Sequence, residues 1–227
     1  MKVFKVPQVS PEWWQIRRGV PTASEFNRII TAVKGDLSAQ ADDYIAELIA
    51  DVACQNPNYF TEKGTPVNSY AIQNGKDMEP EARRWLAMDA NLDVHEVGFC
   101  MTDDLRLGCS PDGLIGLKVE DKPEGEWNGV PYYAATAEAS LELKCPLLKT
   151  HTKYLLDGRL PQDYKPQCHG QLLVCGVKRV EFVSYSSALA PLRVTVEADE
   201  YTVKLAKALD SFKEKYEAAS ARILGGR

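Results

Sequence analysis

Near residue 90 the spacing of apolar residues changes, and that change limits the chain to a mixed fold. Before it the periods are helical. In "SAQADDYIAELIADVAC", Tyr44, Ile45, Leu48, Ile49 and Val52 recur at the spacing of a helix with one buried face. "SPEWWQIRRGVPTASEFNRIIT" reads as two short helices around Gly-Val-Pro, with Ser10 and Pro11 starting the first and Thr22 or Ser24 capping the second. A turn-rich stretch covers 55–66, and a long helix runs from about Asn68 to Ala90, kinked or interrupted near Pro80. Beyond it "DVHEVGFCM", "LRLGCS", "GLIGLKV" and "ASLELKC" are short, alternating or apolar, and read as an antiparallel meander. The stretch at 118–139 is long for a hairpin and reads as an insertion loop. Helices follow near 147–156 and over "QDYKPQCHGQLLVCGV". Two strands, "RVEFVSYS" and "LRVTVEA", lead into an amphipathic helix capped by Asp199 and ended by Gly225-Gly226. The expected class is α/β (α+β), a single domain over 1–227 with N-terminal helices at about 10–90 and a central mixed sheet of about five strands flanked by helices.

Composition excludes several alternatives. None of the six cysteines, Cys54, Cys100, Cys109, Cys145, Cys168 and Cys175, belongs to a C-x-x-C pair. That argues against a zinc cage or disulfide framework and for a reducing cytosol. No segment reads as a signal peptide or a membrane span. The net charge of −5 argues against coating nucleic acid by bulk positive potential. It leaves room for a nucleic-acid enzyme, whose metal-binding carboxylates lower the net charge around a local basic track.

"ASLELKCP" carries the chemistry. Leu141 and Leu143 fall on one strand face, Glu142 and Lys144 on the other. On an exposed strand this would be an ordinary surface ion pair. The apolar flanks make the strand central, however, and a buried carboxylate and ammonium are costly without a further charged partner. A divalent cation satisfies them. In "GCSPDGLIG", Ser110-Pro111-Asp112-Gly113 is a turn by composition, yet Asp112 sits where that turn enters a strand. Asp112 and Glu142 together offer hard oxygen ligands for Mg²⁺. Lys144 then lies beside the metal-bound water, where it orients or deprotonates the nucleophile or neutralises transition-state charge. That set suits phosphodiester hydrolysis.

The Pro-Asp…Glu-x-Lys constellation resembles the PD-(D/E)xK nuclease superfamily. With "WWQIRRGVPTASEF", "NGKDMEPEAR", "CSPDGLIG", "LELKCP" and "YKPQCHGQLLVCG" in that order over roughly 11–186, the chain resembles the lambda exonuclease, or YqaJ-like viral recombinase, family. The resemblance implies a restriction-endonuclease-like core. It makes Asp112, Glu142 and the carbonyl of Leu143 metal ligands, Lys144 the catalytic lysine and Glu79 a helical acid beside the metal. Arg17, Ser24 and Ser110 match a pocket for the 5′-terminal phosphate. The chemistry agrees, since arginine forks onto phosphate while hydroxyls and a helix start add donors. Arg18 points elsewhere on a helix. Trp13, as readily a core residue, falls where the family carries a tryptophan near the DNA entrance. Gln167 and His169 occupy a Gln-x-Gln position, histidine replacing the second glutamine, with Gln171 one turn on.

Lys149, Lys153, Arg159 and Lys165 read either as solvated helix faces or as a track for the DNA backbone. The resemblance further implies Mg²⁺ (Mn²⁺ substituting), double-stranded DNA ends as substrate, 5′-to-3′ release of 5′-mononucleotides, a toroidal homotrimer, a single-strand annealing partner, and a phage- or prophage-encoded protein in the host cytoplasm. Two other readings use the same residues: a structure- or site-specific endonuclease, which needs no terminal-phosphate pocket, and a non-catalytic DNA-end binder, which needs no intact Asp112, Glu142 and Lys144.

Overall fold

The strand-like segments sort into two sheets rather than one meander. The structure, a computed structural model, describes residues 1–54, 70–89 and 92–225. The turn-rich 55–66, the helix limits at Asn68 and Ala90, and Gly226 lie outside the described residues. The strands are β1 Lys2–Phe4, β2 Val94–His95, β3 Phe99–Met101, β4 Gly108–Cys109, β5 Gly113–Ile115, β6 Lys118–Val119, β7 Gly125–Trp127, β8 Val130–Thr136, β9 Ala139–Lys144, β10 Arg179–Ser186 and β11 Leu189–Glu197. The helices are α1 Pro11–Arg17, α2 Ala41–Ala53, α3 Tyr70–Asp89, α4 Leu148–Asp157, α5 Lys165–Cys175 and α6 Glu200–Leu224. Short 3-10 helices lie at Ala23–Arg28 and Gln162–Tyr164.

One sheet runs β11-β10-β9-β5-β2, antiparallel except for the parallel β9–β10 pair, which α4 and α5 connect. It is the expected five-stranded mixed sheet. The other runs β4-β3-β1-β8-β6, with β7 paired to β8. The meander is therefore split: β2, β5 and β9 belong to the first sheet, β3 and β4 to the second. The cause is β1, which inserts between β3 and β8 with Val3 opposite Cys100 and Tyr133. Segment 118–139 is no bare loop. It contains β6, β7 and all of β8, with β7 and β8 joined through Asn128 and Gly129 at φ 50° and 76°. That pair of positive φ values is the signature of a tight hairpin turn.

β9 is buried on both faces, as a strand with neighbours on either side should be. Leu141 and Leu143 pack under Ala82 and Leu86 of α3, whereas Ser140 and Glu142 face α5. The second short helix expected near Ser24 is a 3-10 turn pressed onto α5 at Gly170. A Cβ there would lie 2.6 Å from Phe26 and 3.0 Å from Ala23. Phe26 is fully buried and has nowhere to go. Gly170→Ala is therefore expected to cost about 1–3 kcal/mol, read as a lowered denaturant midpoint. An unchanged midpoint would show that this contact yields. The C-terminal helix begins in a capping box, Asp199 accepting from Tyr201 N and Thr202 N.

Candidate active site

The Ser110-Pro111-Asp112 turn joins two polar clusters. On one side the Asp112 N–H donates to Leu141 O (3.0 Å), and Asp112 Oδ2 accepts from Leu143 N–H (2.7 Å). The aspartate thus closes the β5–β9 ladder with its backbone and side chain together. Burial, with the Glu142 carboxylate second, pushes the Asp112 carboxyl up to about 7.

Glu142 is only 1% exposed. Its Oε2 accepts from Gln171 Nε2, whose own carbonyl accepts from Ser140 Oγ at 2.8 Å. Its Oε1 touches the Lys144 ammonium but has no well-directed hydrogen bond. Burial works to lower the Lys144 pKa, yet Glu142 and then Asp112 raise it above its ordinary value. The side chain therefore carries its proton at neutral pH. An under-satisfied buried carboxylate oxygen beside a second carboxylate is the donor set a hard divalent cation takes, so the residues present fit Mg²⁺.

Glu79 lies one step away on α3. Its Oε1 accepts from Arg83 Nη2 (2.6 Å), and Arg83 also donates to the Asp112 carbonyl. Among the described residues, the carboxylates of Glu79, Asp112 and Glu142 do not converge into one compact trio. Glu79 is held by its arginine and acts on Asp112 through charge. Arg83 was not anticipated, although its position four residues after Glu79 is the spacing of a helical ion pair.

On the other side of the turn, Arg17, Ser110, Thr22 and Ser24 come together. Arg17 donates to Ser110 Oγ (3.3 Å) and Thr22 Oγ1 (3.4 Å), and Thr22 and Ser24 hydroxyls meet at 3.2 Å. The guanidinium stacks on Trp13, its carbon 4.2 Å from the ring centroid. Trp13 is buried, and its Nε1 donates to Gly98 O (2.9 Å) and Ser110 Oγ (3.0 Å). Among the described residues no carboxylate forms an ion pair with Arg17; its hydrogen bonds there go to neutral hydroxyls, and Glu25 acts on it through charge. Arg18 turns away to the end of α2, donating to Asp51 O and Cys54 O. Gln8 bridges the rear of the turn, donating to Val97 O and Pro111 O at 3.1 Å each. No sequence spacing signalled Gln8 as part of this site.

Gln167 is half-buried in the first turn of α5. His169 faces the start of α6 instead, its Nδ1 2.7 Å from Thr202 Oγ1 and its ring edge against Tyr201. It is Gln171, not His169, that reaches Glu142. Burial lowers the His169 pKa, with Asp199 opposing and Lys165 assisting. The folded state thus favours neutral imidazole, and the unfolded chain binds the proton more readily. Stability from this group is complete above the ordinary histidine value near 6.5 and is lost as pH falls below it. Denaturant midpoints are expected to drop between pH 7.5 and 5, and to drop less in His169→Gln. An equal drop in both would assign the loss to other groups. His151, fully buried, bonds Ser184 Oγ and Ala190 O and is structural. Lys149, Lys153 and Arg159 are exposed beyond β9, while Lys165 lies over the Tyr201 ring at 4.3 Å.

Gln171→Leu is expected to release Glu142 and strand the Ser140 hydroxyl in the core. An unsatisfied buried hydroxyl costs about 1–3 kcal/mol, so the melting temperature should fall by about 3–10 °C. A melting temperature within one degree of the parent would remove the bridging role.

The fold is shared with solved structures. LHK-Exo in complex with dAMP is 24% identical, covers 94% of this chain and 96% of its own, and superposes with a TM-score of 0.70. The alkaline exonuclease (LHK-Exo) from Laribacter hongkongensis is also 24% identical, at coverages of 96% and 100% and a TM-score of 0.65. A phage related exonuclease from Haemophilus somnus 129PT is 12% identical, at coverages of 90% and 96% and a TM-score of 0.53. None of the curated proteins matches the chain. Residues 12–178, which include both polar clusters and the turn between them, match the family described as the YqaJ-like viral recombinase domain, and the chain belongs to that family.

Proposed function

We propose that the chain is a single-domain Mg²⁺-dependent nuclease that engages double-stranded DNA ends. It would hydrolyse the 5′-strand in the 5′-to-3′ direction, release 5′-mononucleotides and leave 3′ single-stranded tails for recombination by strand annealing. The observation that carries this reading is the Ser110-Pro111-Asp112 turn, which holds the anion pocket and the carboxylate site within about 7 Å of backbone. A terminal phosphate anchored at one end puts a neighbouring phosphodiester at the other. Family membership supports the reading, as does the likeness to exonucleases, one of them bound to the mononucleotide dAMP.

In this proposal Arg17 forks onto the terminal phosphate, with Ser110, Thr22 and Ser24 supplying hydroxyl donors and Trp13 fixing the guanidinium plane. Asp112, Glu142 and the Leu143 carbonyl hold Mg²⁺, with Mn²⁺ able to substitute. When bound, the ion polarises the scissile phosphate and eases ionisation of water. Gln171 orients Glu142, and Glu79 tunes Asp112 by charge. Lys144, kept protonated by the two carboxylates, stabilises negative charge on the scissile phosphate rather than accepting a proton. Gln167 and the lysines beyond β9 guide the DNA backbone. His169 shapes the α5–α6 joint on which the site rests. A toroidal homotrimer, a single-strand annealing partner and the cytoplasm of a phage-bearing bacterial host complete the proposal. No helix among the described residues is long and apolar enough to cross a membrane.

The test compares linear duplex bearing 5′-phosphate, linear duplex bearing 5′-hydroxyl, and closed circular DNA, each with Mg²⁺ or EDTA. The expected result is rapid Mg²⁺-dependent release of mononucleotides from the phosphorylated linear duplex, slower release from the hydroxyl form and none from the circle. Cleavage of the circle would favour an endonuclease. No Mg²⁺-dependent product on any substrate would favour a DNA-end binder.

A further inference from the structure

Three of the six cysteines meet in the core. Cys100 of β3, Cys109 of β4 and Cys175 at the end of α5 place their sulfurs within 4.8 Å of one another. Cys100 and Cys109 are cross-strand partners, and Cys109 Sγ lies 3.4 Å from Cys175 Sγ. All three are buried, at 0%, 1% and 4% exposure, in the core cluster that also holds Val3, Ala23 and Phe26. Packing alone would be served by any small apolar side chain here. Convergence from three separate elements gives the cluster a chemical identity that packing does not require.

The spacing is that of a thiolate ligand set. With a metal–sulfur bond of about 2.3 Å, sulfurs around one ion lie roughly 3.8 Å apart in tetrahedral geometry and roughly 4.0 Å apart in trigonal geometry. One pair lies 3.4 Å apart and all three sulfurs lie within 4.8 Å of one another, limits that span those values. Among the described residues no histidine or carboxylate joins the trio. Zn²⁺ in structural sites takes four ligands, whereas soft Cu⁺ is selected by sulfur donors and is complete with three. Charge points the same way: one thiolate neutralises a monovalent ion, and each further buried negative charge is costly.

We propose that Cys100, Cys109 and Cys175 form a three-sulfur site for one soft monovalent cation, with Cu⁺ as its ligand. Each sulfur that ligates as thiolate releases one proton to solvent, and no electron is transferred. The S–H groups of Cys100 and Cys109 facing Cys175 lower its pKa against the opposing effect of burial. The ion ties β3 and β4 to α5. Cys109 precedes Ser110, and Cys175 lies one helical turn beyond Gln171, so the site braces the supports of both polar clusters. The proposal does not depend on the nuclease reading, since its measurements read the metal itself.

The experiment uses the full reduced chain without oxygen, titrated with tetrakis(acetonitrile) Cu⁺ against the chelator bicinchoninate. One equivalent retained against the chelator is expected, with a copper absorption-edge spectrum showing three sulfurs at about 2.3 Å and a melting temperature raised by about 5–10 °C at a hundredfold excess over the dissociation constant. Cys109→Ala and Cys175→Ala should each lower retention at least tenfold, while Cys54→Ala should not. Zn²⁺ should be held at least tenfold less tightly than Cu⁺. Retention unaffected by the Cys109 and Cys175 changes, a shell containing nitrogen or oxygen, or tighter binding of Zn²⁺ would overturn the proposal. If either variant fails to fold, the absorption spectrum of the unaltered chain decides alone.

Discussion

Lys144→Ala is expected to lower mononucleotide release from 5′-phosphorylated linear duplex by about 10³-fold, while binding of the DNA end, measured with Ca²⁺ in place of Mg²⁺, changes little. The magnitude is that of removing one preorganised charge from a phosphoryl transition state, about 4 kcal/mol. The geometry argues for a loss in turnover rather than binding. The ammonium is committed to Glu142 within a buried pair, and the carboxylates hold its proton in place. Deleting it leaves Glu142 with Gln171 as its remaining hydrogen-bond partner, which makes that carboxylate more available to a cation. The Mg²⁺ concentration for half-maximal rate should therefore not rise. Lys144→Arg should not restore the rate, because a planar fork cannot replace a compact ammonium against one carboxylate oxygen. A loss smaller than tenfold in Lys144→Ala, or a rate that recovers simply with more Mg²⁺, would sink the assignment.

Much of this site was legible because its residues lie close in sequence on elements with strong local signals. The alternation of β9 placed Glu142 and Lys144 on one face, and its apolar flanks required a central strand. Both hold. Asp112 was legible because a Pro-Asp-Gly turn leading into an apolar run fixes where a carboxylate enters the sheet. What was lost depended on contacts between distant segments. β1 is three residues long, too short to show alternation, and gains its identity only from β3 and β8. Without β1, β3 and β4 look like members of the same meander as β5. Gln8 reaches Pro111 across more than a hundred residues, a relation no local period encodes. His169 and Gln171 differ by only two helical positions, about 200° around the axis, so sequence matching could name the helix but not which side chain faced Glu142. The hairpin within 118–139 did have a signal. Asn128-Gly129 between β-prone segments marks a two-residue turn, which the polar run before it and the length of the stretch obscured.

Arg17→Ala should collapse discrimination between 5′-phosphorylated and 5′-hydroxyl ends, mainly by slowing the phosphorylated substrate by about 10–10²-fold, the loss expected for hydrogen bonds to a charged group. The guanidinium lies on the Trp13 face and is held by the hydroxyls of Ser110 and Thr22, with no carboxylate pairing to it among the described residues. A half-buried positive charge whose hydrogen bonds go to neutral hydroxyls, with Glu25 acting on it only through charge, is poised for an anion, and a terminal phosphate supplies the second negative charge that an internal phosphodiester lacks. Substitution should therefore act on end recognition and leave the carboxylate cluster intact: Mg²⁺ dependence is unchanged, and hydrolysis of the hydroxyl-ended duplex falls by less than threefold. Arg17→Lys keeps the charge but loses the fork and the stacking, and should recover only part of the preference. Equal losses on both ends would place Arg17 in general backbone binding. A fully retained preference would move the terminal-phosphate pocket elsewhere and, with it, the physical basis proposed for 5′-to-3′ polarity.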